Sequence, residues 1–267
     1  MASGTEVTLS ETVLYEKRDG IAWVSLNRPE RLNALSPDLR DALARALKDA
    51  SEDMDIYVVI LSGEGGRAFC AGNDLRVVNE AYQSGIAPGT EGRTTVNFSV
   101  ADCPKPVICA VDGYAVAGGM ETSMACDIRI ATEQSRFGLP EIKRGRMAGP
   151  GLIQLGRMIP LGEAKWIQLT GAHMNAKRAY DIGLIQALLP DRDALFAEAE
   201  RIANEIKLNA PLSVEATKRI ITVAHLLAPE YAQKIWNPER AMIDRSEDIK
   251  EGVAAFSEKR DPVWKRR

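Results

Sequence analysis

The sequence predicts an α/β fold, and three observations carry that prediction. Short apolar runs at 57–61, 107–111 and 128–131 have the length and side-chain branching of buried strands. Helix-patterned segments at 37–51 and 119–126 alternate with them. Beyond about Gly162 strand signals nearly vanish and helical periodicity takes over. Strands alternating with helices favour parallel pairing beneath helical layers.

The chain opens on a hairpin signal. Residues 13–18 and 21–26 are strand-like and meet at Asp19-Gly20, a dipeptide suited to a tight turn. Ser36 then stands before Pro37, an N-cap followed by proline at the first helical position, and Leu39, Leu43 and Leu47 recur four apart. Residues 78–102 break the rhythm with Gly85, Pro88, Gly89 and Gly92 in a polar stretch, read as a surface loop or a lid over a site. Helix candidates follow at 162–170, 176–183, 192–207, 211–227 and 229–245, the last expected to break at Pro238. This change of pattern divides the chain into an α/β core, residues 1–197, and a C-terminal helical region, residues 198–267.

Composition removes several function classes. A chain of 267 residues can bury roughly 70–75% of the surface its unfolded form exposes, so it needs no covalent staples. A net charge of -3 gives no global attraction to nucleic acid. The cysteines Cys70, Cys103, Cys109 and Cys126 form no CxxC pair, and with two histidines no metal centre is expected. They read as reduced thiols in a reducing compartment. The N-terminus lacks the basic start and apolar stretch of a secretory signal, and no run approaches the roughly 18 apolar residues of a membrane span. A cytoplasmic protein with neither nucleic acid nor membrane as partner is expected.

Three glycine-flanked segments are chemically loaded: 67–75, 112–121 and 137–141. A glycine pair between strand and helix turns the backbone sharply and leaves first-turn N–H groups unpaired. Such donors suit developing negative charge, as in an oxyanion hole. Gly63-Glu64-Gly65-Gly66-Arg67-Ala68 fits a loose dinucleotide pattern, but no second strand ending in an acidic residue follows it. Glu121 and Glu141 close the second and third segments. Each has two readings at this point: a carboxylate that favours a helix start, or one of a catalytic pair.

Five blocks resemble the enoyl-CoA hydratase/isomerase family, the crotonases: LNRPERLNAL (26–35), AFCAGNDL (68–75), KPVICAVDGYAVAGGMETSMACDIRIA (105–131), FGLPEIKRG (137–145) and EGVAAFSEKRDPVW (251–264). They run in family order across nearly the whole chain. The resemblance implies a spiral of ββα units with a helical C-terminal trimerisation region, giving a homotrimer or a hexamer built as a dimer of trimers. It implies an oxyanion hole made by the backbone N–H groups of Asn73 and Gly118. Glu121 then serves as base for water and Glu141 as proton donor to carbon, which together hydrate the 2,3 double bond of an enoyl-CoA thioester.

The same resemblance assigns coenzyme A and substrate contacts to Glu30, Arg31, Leu32 and Ala34, to Ala71, Asp74 and Leu75, and to Tyr114, Gly119 and Pro140. Phe256 and Lys259 match a C-terminal helix that closes over the nucleotide. No separate cofactor is implied, since coenzyme A is part of the substrate. Other crotonase reactions, enoyl-CoA isomerisation or dehydration of a substituted acyl-CoA, are the alternatives, with a noncatalytic acyl-CoA-binding or RNA-binding protein behind them. Two departures bear on the substrate. Ala117 and Met120 stand where the family hydratases usually carry a glycine and a small residue, and 148–156 reads AGPGLIQLG in place of the usual glycine-rich stretch. Met147, Leu152 and Tyr82 are candidates to line the acyl pocket.

Overall fold

The computed structural model describes residues 5–6, 10–85 and 98–267, so residues 86–97 of the expected loop or lid lie outside the described residues. Strand β1 (Thr5–Glu6) pairs with β2 (Val13–Arg18), which forms a hairpin with β3 (Ile21–Leu26). Asp19 and Gly20 have φ of 49° and 75°, the two left-handed residues that a type I′ turn requires. Helix α1 (Pro37–Glu52) starts as expected: the Leu39 N–H donates to the Ser36 hydroxyl at 3.3 Å. Three successive turns of chain then repeat one plan. The first holds β4 (Val58–Gly63), β5 (Ala68–Cys70) and α2 (Leu75–Gln83). The second holds β6 (Val107–Val111), β7 (Tyr114–Val116) and α3 (Gly118–Ala125). The third holds β8 (Ile128–Thr132), β9 (Arg136–Gly138) and a short 3-10 helix, Pro140–Arg144.

The rest of the chain is mostly helical: α4 (Gly151–Met158), α5 (Leu161–Thr170), a two-residue strand β10 (Met174–Asn175), α6 (Ala176–Asp181), β11 (Ala187–Leu189), α7 (Arg192–Lys207), α8 (Pro211–Ala224), α9 (Pro229–Ile243) and α10 (Glu247–Glu258). Two sheets result. The larger has the order β1-β2-β3-β4-β6-β8-β11 and is parallel from β3 onward; the smaller has the order β10-β9-β7-β5. Each turn of the spiral therefore places one strand in the large sheet and the next in the small one. This is the spiral of ββα units that the resemblance implies.

Side chains of the large sheet alternate between two cores, as the two-residue period of a strand dictates. Val58 and Ile60, Ile108 and Ala110, and Ile130 pack against Leu195, Ala199 and Ala203 of α7. Val59 and Leu61, Cys109 and Val111 face the other way, into the core that takes Leu39, Leu43 and Leu47 of α1. Helix α7 thus covers one face of the sheet as a single element, and residues 197 and 198 both lie within it.

Three expectations need correction. The strands β5 and β7 lie inside, and β9 overlaps, the glycine-flanked segments 67–75, 112–121 and 137–141, where no strand was expected. At three residues each they are too short to show periodicity, and pairing within the small sheet makes them strands. Strands β10 and β11 likewise fall where strand signals had vanished; β11 is extended because it pairs in parallel with β8. Helix α9 runs on through Pro238 instead of breaking there. Pro238 removes the hydrogen bond to the carbonyl of Lys234, but both residues are exposed, so water satisfies that carbonyl.

Candidate active site

The small sheet builds the site. Because β5, β7 and β9 are parallel neighbours, their C-terminal ends release three loops at one edge. These carry Gly72-Asn73, Ala117-Gly118 and Pro140-Glu141. A cavity of about 690 Å³ opens there, and Asn73, Gly118, Glu121 and Glu141 all line it. Arg31, Ala34, Ala71, Asp74, Leu75 and Pro140 line it as well.

The first loop is clamped from both sides. The Leu35 N–H donates to the Gly72 carbonyl at 2.7 Å, and the Asp74 N–H donates to the Leu35 carbonyl at 3.1 Å. Between them the Asn73 N–H has no acceptor among the described residues. The Asn73 side-chain oxygen accepts from the Arg40 guanidinium at 2.6 Å. Gly72, with φ of 86°, brings this loop onto the next. A Cβ there would lie 2.7 Å from the Ala117 Cβ and 3.0 Å from the Gly118 nitrogen.

The second loop is strained where it turns. Ala117 has φ of 53° and ψ of −129°, a region that only glycine enters without strain. Its N–H donates to the Gly138 carbonyl at 2.8 Å, and its carbonyl accepts from the Glu121 N–H at 3.0 Å, so both ends are held. Gly118 then opens α3 with its N–H free of any acceptor among the described residues. Free first-turn N–H groups at a helix N-terminus favour negative charge.

The two carboxylates are held differently. Oε1 of Glu121 accepts from the Gly151 N–H at 3.0 Å. A Cβ on Gly151 would stand 2.8 Å from the Glu121 Cγ, and one on Gly149 would stand 3.1 Å from its Oε1. Glycines of the 148–156 stretch thus make the room that seats Glu121. Oε2 of Glu141 is buried with no hydrogen-bond partner. Burial pushes the Glu141 carboxyl above the usual carboxylate range, and the nearby Glu121 charge adds to the rise. Its own backbone and the charges of Arg146 and Arg144 oppose it.

Other expected contacts lie off this cavity in the single chain. Glu30 and Leu32 belong to the loop that contributes Arg31, but neither faces in. Their neighbour Asn33 is fully buried and ties that loop down, accepting from the Arg28 N–H at 2.8 Å and donating to the Ala68 carbonyl at 2.8 Å. Asp74 pairs with Arg28 at 3.1 Å. Tyr114 is exposed, edge-on to His173 with ring centres 5.9 Å apart. Gly119 is a packing position, where a Cβ would meet the Cys70 carbonyl oxygen at 2.0 Å. Phe256 is 87% exposed on α10, and Lys259 caps that helix in a left-handed conformation; neither reaches the cavity. Of the proposed acyl-pocket residues Met147 lines it, whereas Leu152 and Tyr82 do not.

Sequence reasoning passed over Lys143, Arg144, Arg146 and His173, all of which line the cavity. The signal for the first three was present in KRGR, 143–146, directly after Glu141. Among the described residues no cluster of His, Cys, Asp and Glu could hold a metal ion, and no helix is long and apolar enough to cross a membrane. All four cysteines are free and buried.

The ββα spiral gathers two carboxylates and two acceptor-free backbone N–H groups around one cavity. Comparison with known proteins gives the family. The family model for enoyl-CoA hydratase/isomerase matches residues 16–267. The chain is 35% identical over 265 residues to (E)-benzylidenesuccinyl-CoA hydratase of Thauera aromatica, covering 95% of this chain and 98% of that one. It is 32% identical to carnitinyl-CoA dehydratase of Salmonella heidelberg, covering 97% and 100%. The crystal structure of enoyl-CoA hydratase EchA1 from Mycobacterium marinum superposes with a TM-score of 0.86 at 38% identity, covering 97% and 100%. The chain belongs to the enoyl-CoA hydratase/isomerase family.

Proposed function

We propose that the protein hydrates the 2,3 double bond of an enoyl-CoA thioester. The observation that carries this reading is the pair Glu121 and Glu141 in one cavity with the free N–H groups of Asn73 and Gly118. The thioester oxygen lies against those two N–H groups. Water, oriented by Glu121, adds to the β-carbon and gives its proton to that carboxylate. Electrons move through the conjugated system onto the thioester oxygen, where the two N–H groups stabilise the enolate. Glu141 then delivers a proton to the α-carbon, and exchange with solvent returns both glutamates to their starting states.

The environments support this division of labour. Glu121 has one oxygen fixed by Gly151, which leaves the other for water. Glu141 is pushed toward its protonated form by burial, as a proton donor needs. The same site run backward removes water from a 3-hydroxyacyl-CoA, a reading favoured by the similarity to a dehydratase. Incubation with a trans-2-enoyl-CoA tests the forward reaction, since hydration abolishes the ultraviolet absorbance of the conjugated thioester.

Assembly belongs to the same proposal. The hairpin of α8 and α9 exposes Ile221, Leu226, Tyr231, Ile235 and Trp236, and α9 buries no residue within the chain. Such an apolar surface suits contact with further copies of the chain. In the trimer proposed, α10 of a neighbouring copy brings Phe256 and Lys259 over the nucleotide.

A further inference from the structure

The cavity wall that follows Glu141 is basic, and the hydration chemistry makes no use of that charge. Lys143, Arg144 and Arg146 all line it. Lys143 and Arg144 end the 3-10 helix Pro140–Arg144. With three residues per turn, such a helix stacks Glu141 and Arg144 on one face, roughly 6 Å apart along the axis. Gly145 closes the helix with φ of 67°, and the Arg146 N–H donates to the Glu141 carbonyl at 3.2 Å, which turns Arg146 back beside Glu141.

Among the described residues no salt bridge or hydrogen bond holds the Lys143 ammonium or the Arg144 guanidinium. Their fields reach the groups around them. Arg146 and Arg144 act to lower the Glu141 carboxyl against the larger effect of burial, and Lys143 and Arg144 add to the burial that lowers His173. Of the acidic side chains that line the cavity, Glu141 is the one coupled to Arg144, and burial pushes it toward its protonated form. Asp74 is paired with Arg28, and Glu121 is engaged by Gly151.

We propose that this wall recognises a carboxylate on the acyl group, so that the substrate is a 2-enoyl-CoA whose acyl chain carries a second acid. The proposal rests on the hydratase reading for the placement of the thioester. With the carbonyl at Asn73 and Gly118 and the reacting carbons at Glu121 and Glu141, a side chain one helical turn past Glu141 meets the acyl chain. Arg31, by contrast, comes from the 26–35 loop, which that reading gives to the nucleotide. A guanidinium grips a carboxylate through two parallel N–H···O bonds, a geometry that an ester or a methyl group cannot provide. Phosphate groups of coenzyme A offer similar anionic chemistry from another source, and the choice of substrates separates the two.

The test compares trans-2-hexenedioyl-CoA with its ω-methyl ester, which has the same coenzyme A moiety. A charge-assisted contact predicts that native protein prefers the acid by about tenfold or more in kcat/KM. In Arg144→Gln, and further in the double variant with Lys143→Gln, that ratio falls toward one. Equal kcat/KM for acid and ester in the native protein, or a ratio unchanged by both substitutions, would overturn the proposal and assign the cations to the phosphates. Calorimetric binding of adipyl-CoA and its ω-methyl ester gives a readout that needs no turnover. Tighter binding of adipyl-CoA without hydration of either enoyl ester would sink the hydratase reading and leave carboxylate recognition standing.

Discussion

Glu141 shows most plainly how a residue's surroundings set its chemistry. Its carboxyl is raised because burial disfavours the charge, with Glu121 as a second cause. The folded-state value exceeds the unfolded value of about 4.3, so the folded chain holds this proton more tightly. The resulting stability is fully present below the unfolded value and is lost as pH rises through the folded one. Glu141→Gln removes that dependence. The melting temperature of the variant should gain on the native protein as pH rises across this window, and the difference should then stay constant. A difference that stays flat from pH 4 to 8 would contradict the cause given. Ala117 makes a second case. Its left-handed backbone costs of order 1–3 kcal/mol, held by bonds at both ends of the residue. Ala117→Gly should raise the melting temperature by about 2–4 °C, because relief of roughly 1 kcal/mol is enough for a shift of that size. A lowered melting temperature would show that the turn is not strained in this way.

At the scale of elements, local chemistry made much of the fold readable. The Asp19-Gly20 turn, the Ser36 cap and the leucine face of α1 each rest on a side chain or dipeptide with one preferred conformation. The glycine segments marked where the cavity opens for a similar reason. What stayed hidden depends on distant partners. Strands of three residues, such as β5, β7 and β9, have no period of their own and become strands through one another. The seat of Glu121 on Gly151 is likewise invisible in sequence, since 30 residues separate them. That contact yields a prediction for α4. Gly151→Ala puts a methyl group 2.8 Å from the Glu121 Cγ while favouring the helix start. Turnover should fall by up to about 100-fold, as expected when a reacting group is displaced by roughly an ångström, with little loss of melting temperature. Unchanged turnover would show that Glu121 does not need this seat.

The whole molecule is a spiral whose repeated strand pairs bring three distant loops to one edge. Helix α7 packs on the large sheet, and the small sheet brings the three loops to the cavity. The identities of Glu121 and Glu141 and the order of their motifs were legible in the chain. The basic run KRGR at 143–146 was visible, but its place on the cavity wall and the strain at Ala117 were not, because both depend on which way a short helix and a turn face. Outside the cavity, the exposed apolar residues of α8 and α9 predict self-association. Light scattering should give three times the 29.2 kDa chain mass, or a multiple of that. A monomer at micromolar concentration would remove the proposed role of Phe256 and Lys259 over a neighbour's nucleotide.

In the proposed reaction Glu121 and Glu141 jointly hydrate an enoyl-CoA held by two backbone N–H groups. Following the ultraviolet absorbance of trans-2-enoyl-CoA esters, short, long and ω-carboxylated, tests it most directly in native protein, Glu121→Gln and Glu141→Gln. Native protein should remove the absorbance of at least one ester. Each variant should do so roughly 10²–10⁴-fold more slowly while still binding the saturated ester. Absorbance that persists with every ester, or variants that keep the native rate, would contradict the account.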